Sequence, residues 1–242
     1  MLRSLTYLIT LAAATIWYGS KAIVAALVGV KNRPGGLYDG AGRSWARWLL
    51  RTSGVEVRTE GFDRIPQGQP VVFVSNHQSF FDIIALAGTL PGTYRFVAKK
   101  ELAKVPVFGQ ALRAAGHIYI DRQNRQAAFG AYESAAAVIR SGTSAIVFAE
   151  GTRSRTGNLL PFKKGPFVLA IAAQVPVVPV YCAHTFGILP KGNIRIRPRP
   201  VTLYFGDPIP TSGMDYEDRE RLLQRARRVI EDFVADAKRE SE

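Results

Sequence analysis

A chain of 242 residues, 47% hydrophobic and 21% charged, is long enough to bury a full core and has the make-up of a globular protein, not of a disordered or fibrous one. Its formal net charge of +13 is spread along the chain; it points to an anionic lipid surface and an anionic substrate, and no zinc-finger spacing, RNA-recognition signature or basic zipper supports a nucleic-acid partner. The single cysteine, Cys182, excludes an intrachain disulfide and thiolate metal clusters, and His77, His117 and His184 lack metal-ligand spacing, so neither a metal nor a cofactor is expected.

The first element, Ser4 to Val30, is almost wholly apolar apart from Lys21. As a helix it would be about 40 Å long, against a bilayer core of about 30 Å. It reads as a cleaved signal peptide, a single span, or a helix sunk into one leaflet. A turn signal follows at Asn32-Arg33-Pro34-Gly35-Gly36. Ala41 to Thr52 then reads as a short amphipathic helix, with Trp45, Trp48 and Leu49 on one face and Arg43, Arg47 and Arg51 on another. Tryptophan beside arginine suits a headgroup region, although an ordinary core-packing helix shows the same pattern. Lys31, Arg33, Arg43, Arg47 and Arg51 follow the apolar run and only Arg3 precedes it, which places the remaining chain on the cytoplasmic face of a cell membrane.

Residues 55–242 read as one α/β domain, and residues 1–54 as a membrane-associated helix pair ahead of it. Apolar runs at Val71–Ser75, Tyr94–Ala98, His117–Asp121, Ala145–Ala149 and Val177–Tyr181 predict strands. They alternate with helical stretches at Asp82–Gly88, Arg125–Ser141 and Phe167–Gln174. That alternation predicts a central, largely parallel sheet flanked by helices. Ile194–Arg197 and Val201–Phe205 look like a hairpin pair, and Asp215 to Lys238 like an amphipathic helix.

Two strand ends carry the chemistry. After Val71–Ser75 come Asn76 and His77, and a carboxylate, Asp82, follows five residues later. Positions five apart on one helix lie about 140° from each other, so the two meet only if His77 sits in the turn and Asp82 in the next helix's first turn. An imidazole held by a carboxylate is fixed in one tautomer and becomes a better base; the plain alternative is a loop histidine and a helix-start acid. Ser75 and Ser79 lie in no Gly-x-Ser-x-Gly elbow, which favours direct attack by a substrate hydroxyl over a covalent acyl-serine. After Ala145–Ala149 come Glu150, Gly151, Thr152 and Arg153, where a guanidinium and backbone amides suit a phosphate; a basic surface turn is the bland reading. His117 and His184 read as structural, and Cys182 as a small buried hydrophobe.

These blocks resemble the glycerolipid acyltransferase family. Asn76-His77-x-x-x-x-Asp82 and Phe148-x-Glu150-Gly151-Thr152-Arg153-Ser154 look like two of its signatures. Between and after them stand Ala98-Lys99-Lys100-Glu101-Leu102, Pro106-x-x-Gly109, Gly116-His117-Ile118-Tyr119-Ile120-Asp121-Arg122, Pro161-Phe162-Lys163-Lys164-Gly165 and the proline-flanked run Val175 to Val180. The resemblance covers roughly residues 55 to 210, and within the family the helix pair is most like bacterial members that acylate lysophosphatidate. It implies that His77 deprotonates the 2-hydroxyl of 1-acylglycerol 3-phosphate as this attacks the thioester of acyl-CoA or acyl carrier protein. It implies that Asp82 orients His77, that Lys99 and Arg153 hold the phosphate, and that Glu150, Gly151 and Thr152 shape its pocket. Another lysolipid acceptor, or a non-catalytic lipid-binding module, are the alternatives.

Overall fold

The structure is a computed structural model that describes residues 2–120 and 125–240, with side chains for 4–120 and 130–240. Asp121 and Arg122, and with them the end of the strand expected at His117–Asp121, lie outside the described residues. The strands are β1 (Val57–Glu60), β2 (Val72–Ser75), β3 (Tyr94–Lys99), β4 (Ile118–Ile120), β5 (Ser144–Phe148), β6 (Val177–Ala183) and β7 (Val201–Phe205). The helices are α1 (Leu2–Leu27), α2 (Leu37–Ser53), α3 (Phe81–Thr89), α4 (Phe108–Ala114), α5 (Arg125–Arg140), α6 (Gly165–Ala173) and α7 (Arg219–Arg239).

The strands form one sheet in the order β1-β7-β6-β2-β5-β3-β4, parallel except where β7 runs against β6. Successive side chains of a strand point to opposite faces, so each inner strand feeds two cores. Val72, Val74, Ala145, Val147 and Val177 pack beneath α5, α6 and α7, with Ile139, Phe167 and Ile230. Phe73, Ile146, Phe148, Val178 and Val180 pack on the other face with α1, α2 and α3, through Tyr7, Leu49 and Phe81. Strands buried on both faces explain their near-continuous apolar sequence.

Two sequence expectations change at the sheet's edge. Ile194–Arg197 forms no strand: residues 194–200 run irregularly, because Pro198 and Pro200 lack the amide donors that a ladder needs. β7 pairs instead with β6 and with β1, a short polar strand that alternation does not reveal. Such a brief, charged strand is a common way to end a sheet without a sticky edge.

The helix pair is built into the second core. α2 starts at Leu37, earlier than the apolar pattern indicates, with Asp39 in its first turn. Asp39 is buried and pairs with buried Arg95 of β3 at 2.6 Å, while Thr93 Oγ1 donates to its other oxygen at 2.6 Å. The expected two-faced arrangement of α2 divides differently. Trp45 turns inward, donating to Thr15 Oγ1 at 3.1 Å and packing on Phe80 and Phe108, whereas Trp48 stays exposed. Arg47 Nε donates to Gly88 O at 3.0 Å and Arg43 to Gly92 O at 2.7 Å, so both capture carbonyls at and just past the end of α3.

α1 is the one described helix long and apolar enough to cross a membrane. It nevertheless touches the rest of the chain along its whole length. Ser4 Oγ accepts from Ile196 N at 3.1 Å, Tyr7 stacks on Phe81 at 5.6 Å, Thr15 holds Trp45, and Ala22 and Ala25 pack with Tyr38. Leu5, Ile9, Ile16, Val24 and Leu27 form an exposed stripe on its other side.

Candidate active site

β2, β5 and β3 are neighbouring parallel strands, and their carboxyl ends deliver His77, Glu150–Arg153 and Lys99 to one edge of the sheet. With strands spaced about 4.8 Å apart, residues leaving three adjacent ends start within about 10 Å of one another. Open α/β sheets place their sites at such edges.

His77 sits in the turn after β2, and fully buried Asp82 in the first turn of α3. Their Nδ1 and Oδ2 atoms are 2.8 Å apart. Oδ2 also accepts the amides of Gln78 at 2.7 Å and Ser79 at 2.9 Å. A carboxylate accepting three bonds at one oxygen requires the imidazole proton on Nδ1, which leaves Nε2 bare as a proton acceptor. The ring lies flat on Phe148, centroids 3.9 Å apart, and Phe148 in turn stacks near Phe96 at 6.2 Å. The imidazole thus has one rotation fixed by a carboxylate and its plane fixed by an aromatic wall.

The turn is braced from both sides. Asn76 accepts from Cys182 N at 2.8 Å and donates to Cys182 O at 3.2 Å, locking it to β6. The Ser154 amide donates to His77 O at 2.8 Å, and Gln78 Nε2 donates to Gly157 O at 2.6 Å. Glu150, buried, accepts the His77 amide at 2.8 Å and the Leu160 amide at 3.1 Å, one with each oxygen. Burial pushes its carboxyl up to about 7, against the pull of those two amides. Glu150, expected beside the phosphate pocket, therefore directs both carboxylate oxygens to backbone. Gly151 follows with φ +71°, a left-handed turn that strains any side chain, and its amide donates to Phe148 O at 3.1 Å.

Arg153 is half-buried, and its guanidinium makes no hydrogen bond or ion pair with a described residue. Lys99 lies half-exposed, 3.1 Å from Glu101. Thr152 Oγ1 accepts from Lys191 Nζ at 2.9 Å, a residue that reading by motif does not single out. Gly109 answers to packing: a Cβ there would fall 2.5 Å from Ala103 O.

The serines are occupied elsewhere. Ser79 Oγ donates to Leu189 O at 2.9 Å, and Ser75 Oγ lies against Asn76 O and Cys182 Sγ. Cys182 is buried with its thiol pushed well up by burial, and a protonated thiol is a poor nucleophile. His117 accepts the Phe96 amide at Nδ1 at 2.9 Å, and burial beside Arg95 drives its pKa down to about 3, leaving it neutral.

Beyond Phe96 opens a largely apolar cavity of about 100 Å³ between α1, α2, β3 and α4, lined by Tyr18, Ala22, Trp45, Tyr94, Phe96 and Leu112 among others. It begins two stacked rings from the His77 imidazole.

A largely parallel sheet that brings a histidine–aspartate pair and the side chain of Arg153 to adjacent strand ends suits an enzyme that transfers an acyl group by general-base catalysis. The family model described as Acyltransferase matches residues 56–183, and the chain belongs to that family. Its solved neighbours include the crystal structure of the 1-acyl-sn-glycerophosphate (LPA) acyltransferase, PlsC, from Thermotoga maritima, with TM-score 0.79 and 27% identity over 97% of this chain and 95% of that one. Curated relatives are a 1-acyl-sn-glycerol-3-phosphate acyltransferase of Cocos nucifera, 33% identical over 86% of this chain and 66% of the relative, and the alpha enzyme of Homo sapiens, 36% identical over 72% and 62%. The chain spans slightly less than two thirds of the length of these relatives.

Proposed function

We propose that the chain transfers a fatty acyl group from an acyl thioester to the 2-hydroxyl of 1-acyl-sn-glycerol 3-phosphate, giving phosphatidic acid for phospholipid synthesis. One observation carries the reading: a carboxylate-oriented imidazole with Nε2 free stands beside an arginine that no described carboxylate compensates, while Ser75 and Ser79 are hydrogen-bonded elsewhere and Cys182 is buried. Nε2 takes the proton of the acceptor hydroxyl while its oxygen bonds to the thioester carbonyl carbon. The tetrahedral adduct collapses by breaking the C–S bond, and the imidazolium returns the proton to the leaving sulfur. Asp82 stabilises that imidazolium. Arg153 and Lys99 hold the phosphate, on a pocket floor shaped by Glu150, Gly151 and Thr152. The apolar cavity past Phe96 receives an acyl chain. General-base catalysis of an activated ester contributes about 10²–10⁴-fold, with no cofactor required.

α1 and exposed Trp48 hold the protein to an anionic membrane on the cytoplasmic face. Side contacts along all of α1 favour its lying in one leaflet, because a helix crossing the bilayer would have to leave the domain behind. Coenzyme A or acyl carrier protein supplies the acyl group. The decisive experiment gives purified protein lysophosphatidate with acyl-CoA or acyl carrier protein of graded chain length, and identifies products by mass. Absence of phosphatidic acid with every donor would refute the assignment.

A further inference from the structure

The loop between β6 and β7 carries Lys191, Arg195, Arg197 and Arg199, with no acidic residue from Thr185 to Pro200. It is a fixed structure. Ile188 and Ile196 are buried in the core, the Arg197 amide donates to Ile188 O at 3.0 Å, and Ser79 Oγ, two residues from the base, grips Leu189 O. At its tip the Asn193 amide donates to Pro190 O at 3.0 Å, with Gly192 at φ +87°, a tight turn that projects Lys191. Its ammonium lands 2.9 Å from Thr152 Oγ1, beside Arg153.

A hydroxyl leaves an ammonium's charge uncompensated. Among the described residues no carboxylate pairs with Lys191, and none with Arg153. Two partly exposed cations on neighbouring residues, neither paired with a carboxylate, together favour an anion between them. Lys99, by contrast, already faces Glu101 at 3.1 Å. A phosphate monoester carries nearly two negative charges and three acceptor oxygens, more than Arg153 alone satisfies.

We propose that Lys191 is a further specificity-determining residue of the acceptor site, closing over the phosphate monoester opposite Arg153. This rests on the proposed lysophosphatidate reaction. It predicts that selection between phosphorylated and neutral acceptors depends on a loop that lies outside the motif blocks.

The test measures acceptor and donor kinetics of the full chain in mixed micelles, with lysophosphatidate and a matched monoacylglycerol. Lys191→Gln raises KM for lysophosphatidate about tenfold, the size expected for a lost charged hydrogen bond, with kcat and donor KM within about twofold of wild type. Lys191→Arg restores most of the affinity, and monoacylglycerol turnover stays unchanged in both variants. An unchanged lysophosphatidate KM would mean that Lys191 only fastens the loop, and would overturn the inference. So would equal losses on both acceptors, or a rise confined to donor KM, which would assign the lysine to the donor's phosphates. Failure of the underlying reading looks different: wild-type protein would then form no phosphatidic acid at all.

Discussion

At the scale of single residues, the His77–Asp82 pair sets the first expectations. His77→Ala should lower turnover at least about 10²-fold with folding intact, because it removes the proposed base and leaves Asp82 with two backbone donors. Asp82→Asn should lose nearly as much through loss of the Nδ1–H tautomer. Steady-state rates beside circular dichroism check both, and near-normal turnover in folded His77→Ala would refute the mechanism. Arg153→Lys keeps a charge but loses the planar fork, so lysophosphatidate acylation should fall while a matched monoacylglycerol is spared; equal losses would sink the clamp. Glu150 yields a pH prediction. Its carboxyl is raised from 4.5 to about 7 by burial, so the folded state holds a proton that the unfolded state releases. The stability contributed by the protonated form is fully present below about pH 4.5 and lost as pH rises through about 7. Urea midpoints should therefore decline over that window in the wild type, and Glu150→Gln should remove that part of the slope.

Elements show what the sequence discloses and what it hides. The inner strands are legible because both faces are buried, which makes them continuous apolar runs ending in polar turns; the candidate site residues His77 and Glu150 to Arg153 follow from those ends. β1 is hidden because Val57-Arg58-Thr59-Glu60 lies at a half-exposed edge and shows no burial pattern. The Thr152–Lys191 contact is hidden because it spans 39 residues through a loop without periodicity. The roles of Arg43 and Arg47 are hidden too, since their targets are carbonyls at and just past the end of another helix. The cavity is likewise a product of packed helices. Ala22 is a buried wall residue of α1, so Ala22→Leu and then Ala22→Phe should shift preference progressively to shorter acyl donors. Product profiles from a mixed-chain donor pool measure it; an unchanged profile would remove the cavity from the acyl path.

At the scale of the whole molecule, the helix proposed to attach the protein to a membrane is also part of the core. The outward stripe of α1, including Ile9 and Ile16, together with Trp48, is the exposed apolar surface that the proposed attachment would use. Charged substitutions there, such as Ile9→Glu with Trp48→Glu, should abolish vesicle flotation while leaving the inward face of α1 intact. Flotation equal to that of the wild type would move the lipid-binding surface elsewhere. Deletion of α1 is the poorer experiment, because Tyr7 and Ala14 belong to the same core as Phe81 and β2. The His77 turn has a consequence of another kind. Its ties to the neighbouring loop run largely through main-chain atoms: His77 O to the Ser154 amide, and the His77 and Leu160 amides to a single carboxylate. Main-chain atoms are the same in every residue. A scaffold held in this way tolerates broad replacement of the side chains around it, in keeping with the fold shared with the Thermotoga maritima structure at 27% identity. Anyone redesigning acceptor or donor choice is free to rewrite the walls of the site, provided that Glu150, Asn76 and Asp82 are left to hold the frame.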